Sequence, residues 1–220
     1  MDPPVAAVDG GDDIARRIAE RTLASRGADY SNEVRRLLDA GREVMARCGT
    51  RSRPRVADIV AAAGLSNDAF YRHFTSKDDL VAAILDDGAA RLRSYLSHQM
   101  AKDSAPDEQV RRWVEGVMAQ AVDEESARTT LAVLWNGGAL GSSETAPRRS
   151  AIAPLVDLLV GPLAELGSTD PDLDAAMIAH GVVGRMSDRL WEGTRPSPAE
   201  TAHLVAFALA AVRPDPVRSA

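Results

Sequence analysis

The residues of this chain best equipped for chemistry lie in one short stretch, Leu65 to Leu80, LSNDAFYRHFTSKDDL. Tyr71, Arg72, His73 and Lys77 can offer hydrogen bonds or positive charge to phosphate oxygens, and Asn67 and Asp68 can exchange hydrogen bonds with base edges. Phe70 and Phe74, set among them, suit anchoring a segment to a support. The same residue types serve catalysis and metal binding elsewhere, but the pattern here argues against both. His98, His180 and His203 are isolated, and no group of His, Cys, Asp and Glu has metal-ligand spacing. No G-x-S-x-G, P-loop or H-E-x-x-H motif occurs. The run GGALG would cradle a phosphate only between a strand and a helix, and it stands between two helical patterns. The sequence therefore predicts no enzyme, no metal and no cofactor. His73 alone would be an ordinary surface imidazole; its company favours a phosphate contact.

Charge points the same way. The 220 residues carry a net −6, yet between Arg35 and Lys77 nine bases stand against four acids. That block is +5 and the remainder of the chain −11, the pattern of a nucleic-acid footprint confined to one domain. An Arg-rich helix surface would give the same count, so the pattern of residues has to decide. Composition, 45% hydrophobic and 26% charged, is that of an ordinary globular protein, and the heavy use of Ala, Arg, Val, Gly and Asp fits a high-GC bacterial genome. The single cysteine, Cys48, excludes an intrachain disulfide and fits a reducing compartment. No basic start followed by an apolar segment marks a secretory signal, and no apolar run is long enough to span a bilayer. A cytoplasmic protein without a membrane partner is expected.

The elements that must position these residues read as helices throughout. Residues 1–13 are rich in Pro, Gly and Asp and read as disordered, and a short helix over Ile14–Arg26 carries Arg16, Arg17 and Arg21. From Val34, apolar residues including Leu37, Leu38, Val44, Met45 and Cys48 share one helical face, with Gly49 as a stop. After the basic loop TRSRPR, a second helix is predicted from Pro54 to Ala63, ended by Gly64 in the left-handed conformation. Ser66 caps a third helix, and Ser76 with Asp79 forms a capping-box start for a fourth. The fourth carries an apolar stripe from Val81 through Leu85 and Leu92 to Leu96, about twenty residues or about 30 Å long. Further helices are expected at 107–123, 126–136, 147–166, 172–192 and 198–212, with breaks at NGGALGSS and GTRPSP. No stretch alternates with period two, so the fold class is all-α. The organisation expected is a flexible N-terminal arm over 1–30, a three-helix DNA-binding domain over 31–76 and a larger helical domain over 77–220.

Two short helices joined by a tight glycine-containing turn, with a supporting helix on either side, describe a helix-turn-helix. Leu65, Phe70 and Phe74 then face a small core, and Asn67, Asp68, Tyr71 and Arg72 share the outward face. At this point the stretch VADIVAAAGLSNDAFYRHFTSKDDL resembles the signature of the TetR family of transcriptional regulators, through Ile59, Ala63, Gly64, Leu65, Ser66, Tyr71, His73, Phe74, Ser76, Lys77, Asp78, Asp79 and Leu80. The resemblance covers the first third of the chain. It implies that Tyr71, His73 and Lys77 contact phosphates, that Asn67 reaches a base edge, and that Arg55, with Arg51 and Arg53 beside it, meets the backbone. Ser66, Asp68 and Arg72 complete the predicted interface. The chain departs from the pattern in three places. The loop before the second helix is one residue longer, and Pro54 stands where a capping Thr or Ser is usual. Asp68 and Ala69 replace a common Gly and a common Thr or Ser. Asp68 repels phosphate unless it accepts from a cytosine amino group.

For the larger domain the resemblance implies a small-molecule site and a dimer. Tyr95, Trp113, Val117, Met118, Leu131, Leu134, Trp135, Leu155 and Leu159 would line a pocket between the middle helices or pack as ordinary core. Arg148 and Arg149 would meet an anionic ligand or sit at the surface. Ala179, Val182, Val183, Met186, Leu204, Val205, Ala208 and Leu209 would build a four-helix dimer interface or serve the chain's own core. The expected function is a dimeric repressor released from a palindromic operator by a small apolar or amphipathic effector. The alternatives are a DNA-binding regulator without a small-molecule inducer, and a helical carrier or enzyme that no longer binds DNA. The effector would lodge near Tyr95 or Leu96 and tilt the fourth helix.

Overall fold

Nine α-helices and one 3-10 turn make up the described residues, 10–138 and 152–212, of the computed structural model. No strand occurs among them, in keeping with the all-α pattern. The helices are α1 (Gly10–Cys48), α2 (Val56–Ala63), α3 (Asn67–His73), α4 (Lys77–Met100), α5 (Pro106–Met118), α6 (Glu124–Gly138), α7 (Ala153–Glu165), α8 (Pro171–Glu192) and α9 (Pro198–Ala211). No helix among the described residues is long and apolar enough to cross a membrane.

The punctuation is local chemistry. Gly49 ends α1 at φ 58° and its N–H donates to Met45 O at 2.8 Å. Gly64 ends α2 at φ 62°, and Leu65 N–H returns to Val60 O at 2.9 Å, closing the orphan carbonyls of the last turn. Ser66 Oγ accepts from Ala69 N at 3.1 Å to start α3, and Ser76 Oγ accepts from Asp79 N at 3.1 Å to start α4. The capping box at α4 is displaced by one residue. The Asp79 carboxylate takes the backbone N–H of Thr75 at 3.1 Å and the Thr75 hydroxyl, rather than the N–H of Ser76.

Two cores result, and α4 belongs to both. The first unites Leu37, Val44 and Met45 of α1 with Ile59 of α2, Phe70 of α3, and Leu80 and Ile84 of α4, all buried. Burying Phe70 alone contributes about 1.5–3 kcal/mol. Ala132 of α6 is also fully buried in this core. The second joins Leu96 and Met100 of α4 to Trp113 and Val117 of α5, Leu159 of α7, Ile178 of α8 and Ala208 of α9. With 24 residues, α4 spans about 36 Å.

Several boundaries differ from expectation. Helix α1 runs unbroken from Gly10, so no break between Arg26 and Val34 is present and residues 10–13 are helical; residues 1–9 of the segment read as disordered lie outside the described residues. Residues 27–31 contain no proline and have only one glycine, Gly27, so nothing there stops a helix already propagating. Helix α2 begins at Val56 instead of Pro54: Pro54 is buried ahead of it and extended Arg55 holds the cap position without a side-chain bond. Helix α5 stops at Met118 and tightens into a 3-10 turn over Ala119–Ala121, after which Asp123 accepts from Ser126 N at 2.8 Å to start α6. That helix carries on through Asn136 and Gly137, where a break was expected. The expected start of α7 at 147, and Arg148 and Arg149, lie outside the described residues.

The turn between α2 and α3 is the tightest local constraint. A Cβ at Gly64 would sit in left-handed backbone and 2.9 Å from Arg36 Nη2, whose guanidinium donates to Ala63 O and to Gly64 O at 3.0 Å. Gly64→Ala should therefore destabilise the protein by about 1–2 kcal/mol from the backbone conformation alone, read as a lower midpoint in denaturant unfolding. An unchanged midpoint would mean that the turn is not strained.

Candidate nucleic-acid interface

Helix α3 offers Asn67, Asp68, Tyr71 and Arg72 to solvent, and Arg51, Arg53 and Arg55 extend the exposed surface along the preceding loop. Lys77, the first residue of α4, is half-buried beside them. Ser66 is exposed but spends its oxygen on the cap of α3. On the opposite side of α3, Phe70 and Phe74 enter the first core with ring centroids 5.8 Å apart. The helix thus has one anchored side and one free polar side, the division drawn from its sequence.

His73 is the exception. Its side chain is wholly buried; Nε2 lies 2.6 Å from Glu33 Oε2, and its ring meets Tyr30 edge-on at 4.3 Å. An imidazole so enclosed braces α3 against α1 and does not meet a phosphate in this conformation. The bond from His73, helped by Arg72 and Arg36, holds the Glu33 carboxyl below the usual carboxylate range. Nothing local in the sequence pairs residues forty apart, and only the packing of α1 on α3 brings them together.

The basic block also divides. Arg36 secures the α2–α3 turn, Arg42 and Arg47 pair with Asp87 and Glu43, and Arg72 comes within 3.8 Å of Glu33. The bases left facing outward from the helix-turn-helix are chiefly Arg51, Arg53, Arg55 and Lys77. Arg53 lies over Trp135 of α6, its guanidinium carbon 5.9 Å from the ring centroid, a cation–π distance.

Behind this surface lies an apolar cavity of ≈ 440 Å³ bounded by α4, α6, α7 and α8, with Ile84, Leu85, Leu134, Leu155, Val183 and Met186 in its wall. Its polar wall groups are Arg42, Gln120, Thr129, Thr130 and Ser187. Of the residues expected to line a pocket, only Leu134 and Leu155 do so here. Trp113, Val117, Met118 and Leu159 are fully buried core, with Trp113 Nε1 donating to Leu155 O at 3.1 Å, and Leu131 packs against that core. Trp135 turns to Arg53, and Tyr95 borders a neighbouring polar recess. The cavity therefore meets the middle of α4, between Ile84 and Leu92, rather than its far end, where Leu96 is fully buried.

The residues expected at a dimer interface face inward as well. Ala179, Val182, Met186, Val205 and Ala208 are buried in the chain's own core, and Val183, Leu204 and Leu209 pack against it. The apolar residues left outside are Leu173, Met177 and Trp191 on α8 and Phe207 on α9, each more than half exposed. Gly181 and Gly184 lie among them, and a Cβ added at either would meet nothing within 4 Å. Glu200 ties the two helices, accepting from Arg185 at 2.6 Å and from Arg189 at 2.9 Å.

The Glu33–His73 bond generates a prediction with a defined sign. A carboxylate whose folded value is depressed adds stability above its ordinary range, and that stability is lost as pH falls through the folded value. Glu33→Gln should lower the stability of the protein at neutral pH and flatten the acid limb of its stability profile, while weakening DNA binding through a less firmly held α3. An acid limb that superimposes on that of the unsubstituted protein would remove Glu33 from this role.

No curated protein matches the chain in sequence. The family model for bacterial regulatory proteins of the tetR family matches residues 37–84, from the second half of α1 to the first turns of α4. Among solved structures, the fatty acid degradation regulator FadR from Bacillus halodurans is similar at a TM-score of 0.60 and 18% identity, over 81% of this chain and 98% of that one. A TetR-family transcriptional regulator from Streptomyces coelicolor gives 0.58 and 21%, over 83% and 93%. The regulator FadR from Bacillus subtilis, solved with stearoyl-CoA, gives 0.55 and 15%, over 81% and 98%. Residues 37–84 are thus the N-terminal helix-turn-helix domain of the tetR family of bacterial regulatory proteins, set in a chain whose fold is that of TetR-family transcriptional regulators.

Proposed function

We propose that the chain is a DNA-binding transcriptional regulator, a homodimeric repressor that leaves a palindromic operator when a small apolar or amphipathic molecule occupies the cavity beside α4. The observation that carries the DNA reading is the exposed face of α3, Asn67, Asp68, Tyr71 and Arg72, on a helix held from behind by Phe70 and Phe74. Asn67 reads a base and Tyr71 and Lys77 position the helix on phosphates. Asp68 selects for a cytosine amino group or, failing that, weakens binding.

The effector reading is supported by the cavity's size and apolar wall, by its contact with Ile84 and Leu85 in the part of α4 that also serves the DNA-binding core, and by the acyl-CoA bound in one protein of the same fold. A molecule that prefers the cavity of the DNA-free arrangement shifts the population away from the operator, whereas one that binds both arrangements equally shifts nothing. The dimer reading rests on Leu173, Met177 and Trp191 with Phe207, an apolar strip on two adjacent helices that Gly181 and Gly184 leave open to close approach.

Selection from a random DNA pool should return a palindrome with half-sites about one helical turn apart. Lys77→Ala should weaken binding to all sequences and reduce the salt dependence by about one counterion for each phosphate left without its lysine. Asn67→Ala should cost about 1–3 kcal/mol on the best site and relax preference at one position per half-site. A selected sequence unaltered by Asn67→Ala would place the recognition face elsewhere. Met177→Asp with Phe207→Asp, both on the surface, should give a folded monomer in sedimentation and a large loss of operator affinity. A dimer that survives the double substitution would move the interface off α8 and α9.

A further inference from the structure

The apolar cavity and the polar recess beside it share Arg42, Gly88, Leu92, Gln120, Thr129 and Thr130. The two adjoin, and the recess is bordered in addition by Arg91, Tyr95, Asp123 and Glu125. Arg42 stands where the two meet, and it comes from α1, a helix of the DNA-binding domain. Its Nη2 lies 3.2 Å from Asp39 and 3.0 Å from Asp87 of α4. Arg91 reaches the same two carboxylates at 3.3 and 3.0 Å. Two cations and two anions thus balance across the α1–α4 contact.

Both bonds of Arg42 leave from one nitrogen. Among the described residues its Nε and Nη1 have no hydrogen-bond partner, and its side chain is 20% exposed. The N–H donors on those two nitrogens are therefore open to an acceptor in the space. An oxygen placed there gains a charge-assisted hydrogen bond. A full negative charge would join the carboxylates of Asp39, Asp87, Asp123 and Glu125, which already outnumber the two cations Arg42 and Arg91, and in a partly desolvated site a further unbalanced charge is costly; an uncharged oxygen avoids that cost.

We propose that this cavity selects an apolar molecule bearing an uncharged carbonyl or hydroxyl oxygen over the corresponding anion, with Arg42 as the donor to that oxygen and the surrounding carboxylates as the bar to the charge. The same guanidinium links α1, which holds the α2–α3 turn and His73, to Asp87 of α4, the helix that carries Lys77, so the occupant meets both helices at one group. The inference rests on the cavity being the effector site.

The test compares methyl decanoate with decanoate on the full-length protein, by calorimetry for binding and by fluorescence anisotropy for release from the selected operator. The ester should bind about tenfold or more tightly than the acid, because both can accept from Arg42 but only the acid adds a charge to the carboxylates around the site. Arg42→Lys, which keeps the charge but loses the Nε and Nη1 donors, should weaken ester binding about tenfold, with thermal melting reporting that the variant folds. Asp87→Asn tests the charge: removing one of the four carboxylates lowers the cost of a further anion, and the preference should move toward decanoate. Decanoate binding as tightly as the ester to the unsubstituted protein, or ester binding unmoved by Arg42→Lys together with a ratio unmoved by Asp87→Asn, overturns the inference. Binding with the expected ratio but without operator release would overturn the proposed function and leave the chemical preference standing. Failure of both probes to bind overturns both.

Discussion

A recognition helix of seven residues has no stability of its own, because so few backbone bonds cannot offset the cost of fixing the first turn. Everything that makes α3 useful is therefore supplied from outside it. Phe70 and Phe74 bury its inner side, Ser66 closes its first turn, and the His73–Glu33 bond fastens its last turn to α1. Arg36, one turn further along α1 from Glu33, holds the carbonyls of the turn before it. The outward side chains Asn67, Asp68 and Tyr71 are left facing solvent, while Arg72 also comes within 3.8 Å of Glu33. Helix α1 is the clamp, through Glu33 and Arg36.

That dependence explains why the link between the two halves is concentrated in α4 and α6. Helix α4 contributes Leu80 and Ile84 to one core and Leu96 to the other. Helix α6 borders the cavity with Thr129, Thr130, Val133 and Leu134, buries Ala132 in the DNA-binding core and sets Trp135 on Arg53. It approaches α4 closely enough that a Cβ on Gly137 would fall 2.5 Å from Leu85 Cδ1. A close-packed contact of this kind transmits displacement rather than absorbing it. A lever built on α4 alone would leave α6 without a role, and the structure gives it contacts with the cavity and with the helix-turn-helix at once.

The far side of the molecule shows a different economy. Helices α8 and α9 each have two apolar faces, one filled by the second core and one left in water. Exposed Met177, Trp191 and Phe207 are costly for a monomer and sit next to glycines that present nothing but backbone. The Glu200 pairing with Arg185 and Arg189 fixes the angle between the two helices and so the shape of the outer face.

The sequence by itself determined the helical class, the caps at Ser66 and Ser76, the stops at Gly49 and Gly64, and the division of α3 into an anchored and a free side. These depend on residues within four or five positions of one another, where periodicity and capping chemistry operate. It did not determine which of several apolar faces is core. On α8 and α9 the small and apolar residues assigned to a partner, Ala179, Val182 and Ala208 among them, fill the chain's own interior. On α5 the residues assigned to a pocket do the same. A helical period reveals that a face is apolar, not what covers it. Long-range polar contacts were equally hidden: His73 meets Glu33 across forty residues, Arg42 meets Asp87 across forty-five, and neither pair leaves a local trace. Only the crossing of α1 over α3 and α4 decided that an imidazole expected on phosphate would be buried, and that an arginine counted toward the DNA footprint would instead border the cavity.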